Sequence, residues 1–187
     1  MSSKDAIIKK IKDSSLEKVE LKDIKIELTI FDNKIENFKS SLKSAGAKAI
    51  EIDRKDIENY LKEFKEDGGC IDFTFCADEN EKRDIKEPKD LKDIKSVIVE
   101  GRFGVCENGA VWCDSEDVDI KTVYFICENL IILLDKKRLL NNMNEAFSDL
   151  SYDGFGVFIS GPSKTADIEQ SLVIGAHGAV NTKVLLY

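Results

Sequence analysis

Apolar positions along the first half of the chain alternate between helical and strand-like spacing. In Lys4 to Lys12, Ile7, Ile8 and Ile11 recur one turn apart, which predicts a short amphipathic helix. Glu17 to Lys25 is charged and irregular and reads as a connector, so residues 1–25 form an N-terminal helical extension. Asp32 or Asn33 can cap a second helix with Ile35, Phe38 and Leu42 on one face and Gly46 at its end. Ala47 to Ile52 is strand-like. Asp53 opens a further helix with a stripe of Ile57, Tyr60, Leu61 and Phe64, closed by Gly68-Gly69, and Cys70 to Cys76 is strand-like again. Helix-strand-helix-strand with short turns is the rhythm of crossover units around a largely parallel sheet.

Ala77 to Ile94 is highly charged, contains Pro88, and predicts a surface loop with one helical turn near Leu91. Beyond Ser96 the chain is more apolar. Val97 to Val99 and Gly109 to Cys113 predict strands flanking Glu107-Asn108-Gly109, a strong turn signal. Val123 to Ile126 and Leu130 to Leu134 predict a further strand pair, and Lys136 to Leu150 one helix with Leu139, Leu140, Met143 and Phe147 inward. Gly156 to Ser160 predicts a strand, Thr165 to Val173 a helix and Thr182 to Leu186 a closing strand. The fold class is α/β, a mostly parallel sheet with helices on both faces. At 187 residues the chain suits one domain, 1–187, burying roughly 70% of its unfolded surface.

Charge narrows the function classes. The net charge is −8 and lysines alternate with acids, as in Glu87-Pro88-Lys89-Asp90, which opposes binding to nucleic acid or anionic lipid. The N-terminus lacks the apolar core of a signal peptide, and the run Leu130 to Leu134 is far below the roughly 20 residues of a bilayer span, so a cytoplasmic protein is expected. Cys70, Cys76, Cys106, Cys113 and Cys127 form no Cys-x-x-Cys pair, and His177 is the only histidine. Buried free thiols are expected, with no metal and no cofactor in this chain.

Three constellations can carry chemistry. In Gly161-Pro162-Ser163-Lys164-Thr165, Gly161 permits a tight turn, Pro162 directs it, Ser163 or Thr165 can cap a following helix, and Lys164 adds positive charge. Asp167 and Glu169 would fall near that helix's first turn, where they suit the dipole and oppose a phosphate. A capped structural helix and a binding loop both fit. Gly175-Ala176-His177-Gly178 places a titratable ring between glycines, with a structural histidine as the alternative. Glu107 beside the Asn108-Gly109 turn is a candidate base or nucleophile, or simply part of a hairpin.

Ile159-Ser160-Gly161-Pro162-Ser163-Lys164-Thr165-Ala166-Asp167-Ile168-Glu169, followed by Gly175-Ala176-His177-Gly178, resembles the end of lactate-utilisation (LUD, LutC-type) domain proteins. Their pattern there is Gly-Pro-Ser-x-x-Ala-Asp-Ile-Glu, then Gly-x-His-Gly. The resemblance implies a fold like the ribose-5-phosphate isomerase and CoA-transferase superfamily. It also implies a role in oxidising L-lactate to pyruvate beside iron–sulfur and cysteine-rich subunits, by a subunit with no clear activity of its own. Ligand-facing residues would then be Asn108, Gly109, Gly161, Pro162, Ser163, Lys164, Thr165, Asp167, Glu169, His177 and Gly178, with Glu107 as the catalytic candidate.

Two departures qualify the resemblance. The family's Ala-Glu-Thr-Gly-Thr or Ala-Glu-Ser-Gly-Thr stretch is Cys106-Glu107-Asn108-Gly109-Ala110 here, so both hydroxyl residues around the glycine are gone. The longer basic, Trp-containing N-terminal region of many LutC-type proteins has no counterpart, which marks a short divergent member. Glu-Asn-Gly also resembles the Ser-Glu-Asn-Gly motif of CoA transferases, whose glutamate forms covalent intermediates. The alternative function is therefore an independent small-molecule enzyme of that superfamily using Glu107.

Overall fold

The computed structural model describes residues 3–14, 28–66, 68–77, 87–114, 118, 121–150, 154–166, 172–175 and 178–187. The helices are α1 (Ser3–Asp13), α2 (Lys34–Ser44), α3 (Ile57–Glu66), α4 (Val123–Ile126) and α5 (Met143–Asp149). The strands are β1 (Lys48–Glu51), β2 (Cys70–Asp72), β3 (Ser96–Glu100), β4 (Phe103–Val105), β5 (Ala110–Asp114), β6 (Asn129–Leu134), β7 (Leu139–Leu140), β8 (Gly156–Ile159), β9 (Lys164–Ala166), β10 (Leu172–Ile174) and β11 (Asn181–Leu186). Short 3-10 turns cover Arg54–Asp56, Pro88–Leu91 and Lys136–Arg138. No described helix is long and apolar enough to cross a membrane.

β1-β11-β6-β3-β2 form the central sheet, and every neighbouring pair in it is parallel. Strands buried on both faces read as continuous apolar runs, and alternate residues then serve opposite sides. Val97, Val99, Leu130, Ile132, Leu134, Val184 and Leu186 pack with Phe38 and Leu42 of α2. Ile98, Ile131, Leu133 and Leu185 pack with Ile57 and Leu61 of α3 on the other side. Helices do cover both faces, as the sequence predicts.

The face that carries α2 also carries a second sheet that the sequence reading does not anticipate. Its order is β7-β4-β5-β8, antiparallel except for the β4–β7 pair. Val111 and Cys113 of β5 join the central core, while Trp112 turns away to Phe103, Phe158 and α5. Trp112 and Phe158 lie 4.7 Å apart between ring centroids, within the range where aromatic pairs attract.

Several expectations are corrected. Val123 to Ile126 is one helical turn rather than a strand: Val123 and Tyr124 are buried side by side while Phe125 and Ile126 are 43% and 41% exposed, which alternation cannot produce. β6 pairs instead with β3 and β11. The single helix over Lys136 to Leu150 breaks into a 3-10 turn, β7 and α5, because Asn142 restarts it. The Asn142 side chain accepts from Glu145 N–H at 3.0 Å, and Glu145 accepts from Asn141 N–H at 2.7 Å. Leu139 thereby joins β4, and Phe147 is 62% exposed rather than inward. β2 stops at Asp72, since Thr74 N–H and its hydroxyl both turn back onto Asp72 Oδ1 at 2.9 and 2.7 Å. The strand entering the Glu107 turn is β4, with β3 belonging to the central sheet.

The largest correction concerns Thr165 to Val173. Its described ends are not helical. β9 and β10 pair antiparallel, with Val173 opposite Thr165 and Leu172 opposite Ala166, and residues 167–171 lie outside the described set. Ser163 holds the base of this pair by accepting from Gly175 N–H at 2.9 Å. β-branched Thr165, Val173 and Ile174 favour that extended pairing over a helix.

Leu42 is fully buried between α2 and the central sheet, so Leu42→Ala is expected to lower unfolding free energy by about 2–5 kcal/mol in a urea titration. The Glu145 carboxyl is held below its ordinary value of 4.5, first by Asn141 N–H and then by the Asn141 side chain. A lowered folded value means a stabilising contribution present above the ordinary value and lost as pH falls through the folded one. Stability should therefore drop less steeply on acidification below about pH 4.5 in Glu145→Gln than in the parent chain.

Candidate functional site

Cys106 to Gly109 close the β4–β5 hairpin, with Val105 opposite Ala110. Gly109 has φ +68, and its N–H donates to Val105 O at 2.9 Å. A Cβ at Gly109 would lie 2.5 Å from Leu42 N, so only glycine lets the turn rest on the α2 backbone. The Ser41 hydroxyl reinforces that contact by donating to Cys106 O at 2.7 Å. Asn108 Oδ1 accepts from Ala110 N–H at 3.0 Å and fixes the turn. The Glu107 carboxylate accepts from Met143 N–H at 2.9 Å, at the start of α5.

The signature loop leaves β8, the edge strand of the second sheet, and not a central parallel strand. Gly161 has φ +106, and a Cβ there would lie 2.8 Å from Ala45 O at the end of α2. The Ser160 hydroxyl donates to Asn108 O at 2.6 Å, joining the loop to the hairpin turn. Ser163 N–H donates to Ala179 O at 3.0 Å. Gly178 abuts Ser163: a Cβ there would lie 2.9 Å from Ser163 Cβ. Lys164 is exposed, with Nζ 3.0 Å from where a Gly46 Cβ would stand, just past the carboxyl end of α2. A cation there complements the helix dipole.

A cavity of about 330 Å³ opens between this loop and α4. Its walls are Tyr124 and Phe125 of α4, Leu130, the Val157–Ile159 strand, and Ser160, Gly161, Pro162, Ser163, Gly178 and Ala179. Leu130 stands near the start of β6, and Ala179 precedes β11, so the cavity lies at the amino ends of the central strands. The carboxyl-end rule for α/β sheets therefore does not account for it. Aromatic and aliphatic walls with a rim of hydroxyls and backbone groups suit a small molecule with one apolar and one polar part.

Of the residues expected at a site, the structure gathers Gly161, Pro162, Ser163 and Gly178 around the cavity. Asn108 reaches the loop through its carbonyl, while Glu107, Gly109 and Lys164 make other contacts and do not line it. Thr165 stands in β9 opposite Val173. Asp167, Glu169 and His177 lie outside the described residues. Tyr124 and Phe125 were missed because their segment reads as a strand. Tyr124 is anchored by its hydroxyl, which donates to Asp114 O at 2.6 Å, and Asp114 is itself clasped by Arg102 at 2.7 Å.

Among the described residues no group of three or more His, Cys, Asp and Glu side chains is placed to hold a metal ion. All five cysteines are free, and four are buried. Burial pushes the Cys106 thiol up to about 11 and the Cys127 thiol up to about 12, away from thiolate reactivity.

Gly68 provides an internal reference for the hairpin glycine, with φ +72 but nothing within 4 Å of a Cβ. Gly68→Ala is expected to cost about 1 kcal/mol of backbone strain. Gly109→Ala should cost at least about 1 kcal/mol more, because its Cβ must displace α2. Equal losses in chemical denaturation would show that the α2 contact contributes nothing.

Comparison with known proteins places these residues in a family. The LUD domain model matches residues 79–187. Lactate utilization protein C of Bacillus pumilus is 31% identical over 97 residues, covering 48% of this chain and 40% of that protein. Lactate utilization protein C of Shouchella clausii is 33% identical over 104 residues, covering 51% and 45% respectively. The matched stretch thus spans less than half the length of these curated relatives. Among solved structures, a DUF162 family protein from Deinococcus radiodurans aligns with a TM-score of 0.61 over 82% of this chain and 95% of its own, at 9% identity, a likeness of fold alone. Since the matched segment is more than half of the chain and contains both the Glu107–Gly109 turn and the Ser160–Gly178 segment, the chain belongs to the LUD domain family.

Proposed function

We propose that this chain is a LutC-type component of an L-lactate utilisation system and serves it by binding a small molecule in the loop cavity. The observation that carries the reading is a coincidence of place: the Ser160–Gly178 segment that resembles LutC-type proteins supplies the polar rim of the cavity. Relatives bearing the name lactate utilization protein C support the system. L-Lactate and pyruvate, each with a methyl group and a carboxylate, suit walls of Phe125 and Leu130 facing the Ser160–Ser163 rim.

Binding rather than covalent catalysis is favoured by the position of Glu107. Its carboxylate accepts from Met143 N–H at 2.9 Å and caps α5. The chain's partners in this reading are the iron–sulfur and cysteine-rich subunits that the family resemblance implies.

Thermal unfolding with L-lactate and pyruvate tests the assignment. A ligand at a hundredfold excess over its Kd adds about 2.7 kcal/mol, which raises Tm by roughly 5–10 °C in a chain of this size. The shift should vanish in Ser163→Leu, which fills the cavity rim, and persist in the remote Lys43→Ala. No shift with either acid in the parent chain, or an undiminished shift in Ser163→Leu, would sink the reading.

A further inference from the structure

The opposite end of the central sheet carries a separate cavity of about 320 Å³, lined by Ile52, Asp53, Arg54, Asp135, Lys136, Lys137 and Tyr187. β1, β11 and β6 are adjacent and parallel, so the segments leaving their carboxyl ends converge there. Backbone pairing continues past the strands and fixes the rim. Ile52 N–H donates to Leu186 O at 2.9 Å, Tyr187 N–H to Leu134 O at 3.1 Å, and Lys136 N–H to Tyr187 O at 3.0 Å. This is the position at which open α/β sheets bind ligands, and neither the family motif nor the loop cavity reaches it.

The charge pattern specifies what the cavity suits. Arg54, Lys136 and Lys137 supply three cations in a chain of net charge −8. Both carboxylates on the rim already have partners. Asp135 accepts from Lys137 N–H at 2.9 Å, and Asp53 pairs with Lys55 at 3.7 Å. Arg54 forms no ion pair with the described residues. Its guanidinium lies 4.5 Å from the Phe75 ring centre and 5.5 Å from that of Tyr187, and the two rings meet edge to face at 5.7 Å. Stacking occupies the guanidinium face and leaves its N–H edge to bind oxygen atoms. Phe75 stays 43% exposed, so the stacked guanidinium stands at the surface beside the cavity. Three cations from the ends of β1 and β6, the strands on either side of β11, match a dianion better than a single carboxylate.

We propose that the carboxyl-end cavity is a second ligand site, which takes a small phosphate monoester with Arg54, Lys136 and Lys137 on its oxygens and Tyr187 beside its organic part. The site is independent of the lactate reading, and its failure would leave that reading untouched.

Calorimetric titration of the full chain with phenyl phosphate at low ionic strength tests it, with benzoate as the monoanionic control. Saturable one-to-one binding is expected, weakened at least about tenfold in Arg54→Ala and in the Lys136→Ala/Lys137→Ala double variant. Raised salt should weaken it as well. Arg54→Lys keeps the charge without the planar fork and should fall between the parent and Arg54→Ala. Lys43→Ala and Ser163→Leu should bind as the parent does, and melting curves of each variant report that it is folded. The proposal is overturned by failure to saturate, by benzoate binding as tightly as phenyl phosphate, or by a folded Arg54→Ala that binds unchanged.

Discussion

The carboxyl-terminal half of α2 is the surface on which the candidate site is assembled. Gly109 approaches Leu42 N and Gly161 approaches Ala45 O so closely that a methyl group at either glycine would collide with backbone. Pro162 and Lys164 lie over Gly46, where the helix ends. Backbone-to-backbone contacts of this kind leave little freedom to adjust, because neither side can move a rotamer out of the way. The hydroxyl of Ser160 on Asn108 O then ties the two loops together, so the hairpin turn and the signature loop are positioned as one unit.

That arrangement gives the motif glycines a structural reason that is separate from any ligand. Gly109 and Gly161 hold backbone conformations with positive φ and sit against a helix. The cavity beside the loop is walled by Ser160, Gly161, Pro162 and Ser163 together with Tyr124 and Phe125 of α4. The helix expected over Thr165 to Val173 gives way to strands at its described ends, while Asp167 and Glu169 lie outside the described residues.

Legibility in the sequence followed the physics of burial. The central strands were readable because two-sided burial produces uninterrupted runs such as Leu130 to Leu134, and α2 and α3 because one-sided burial leaves a stripe. The end of α2 was readable from Gly46, whose φ is +93. Illegible were the segments whose burial depends on partners distant in sequence. Val123–Ile126 has strand composition, but its burial follows a helical turn wedged beside β5. Leu139 and Leu140 fit a helical stripe, yet pairing with β4 pulls them into a sheet. The signature residues were identifiable from their spacing alone, whereas the cavity they border was not, because Tyr124 and Phe125 come from that misread segment.

The family resemblance begins at residue 79, yet α2, β1, α3 and β2 all precede it. Those elements supply both edges of the central sheet, the helix on each of its faces, and the abutment under the two loops. A recognisable sequence module and a mechanically complete one are therefore different objects in this molecule. Cut at the border of resemblance, the segment would keep every signature residue and lose the surfaces that give those residues their positions. The segment before residue 79 is the mould, and the matched segment is what it shapes.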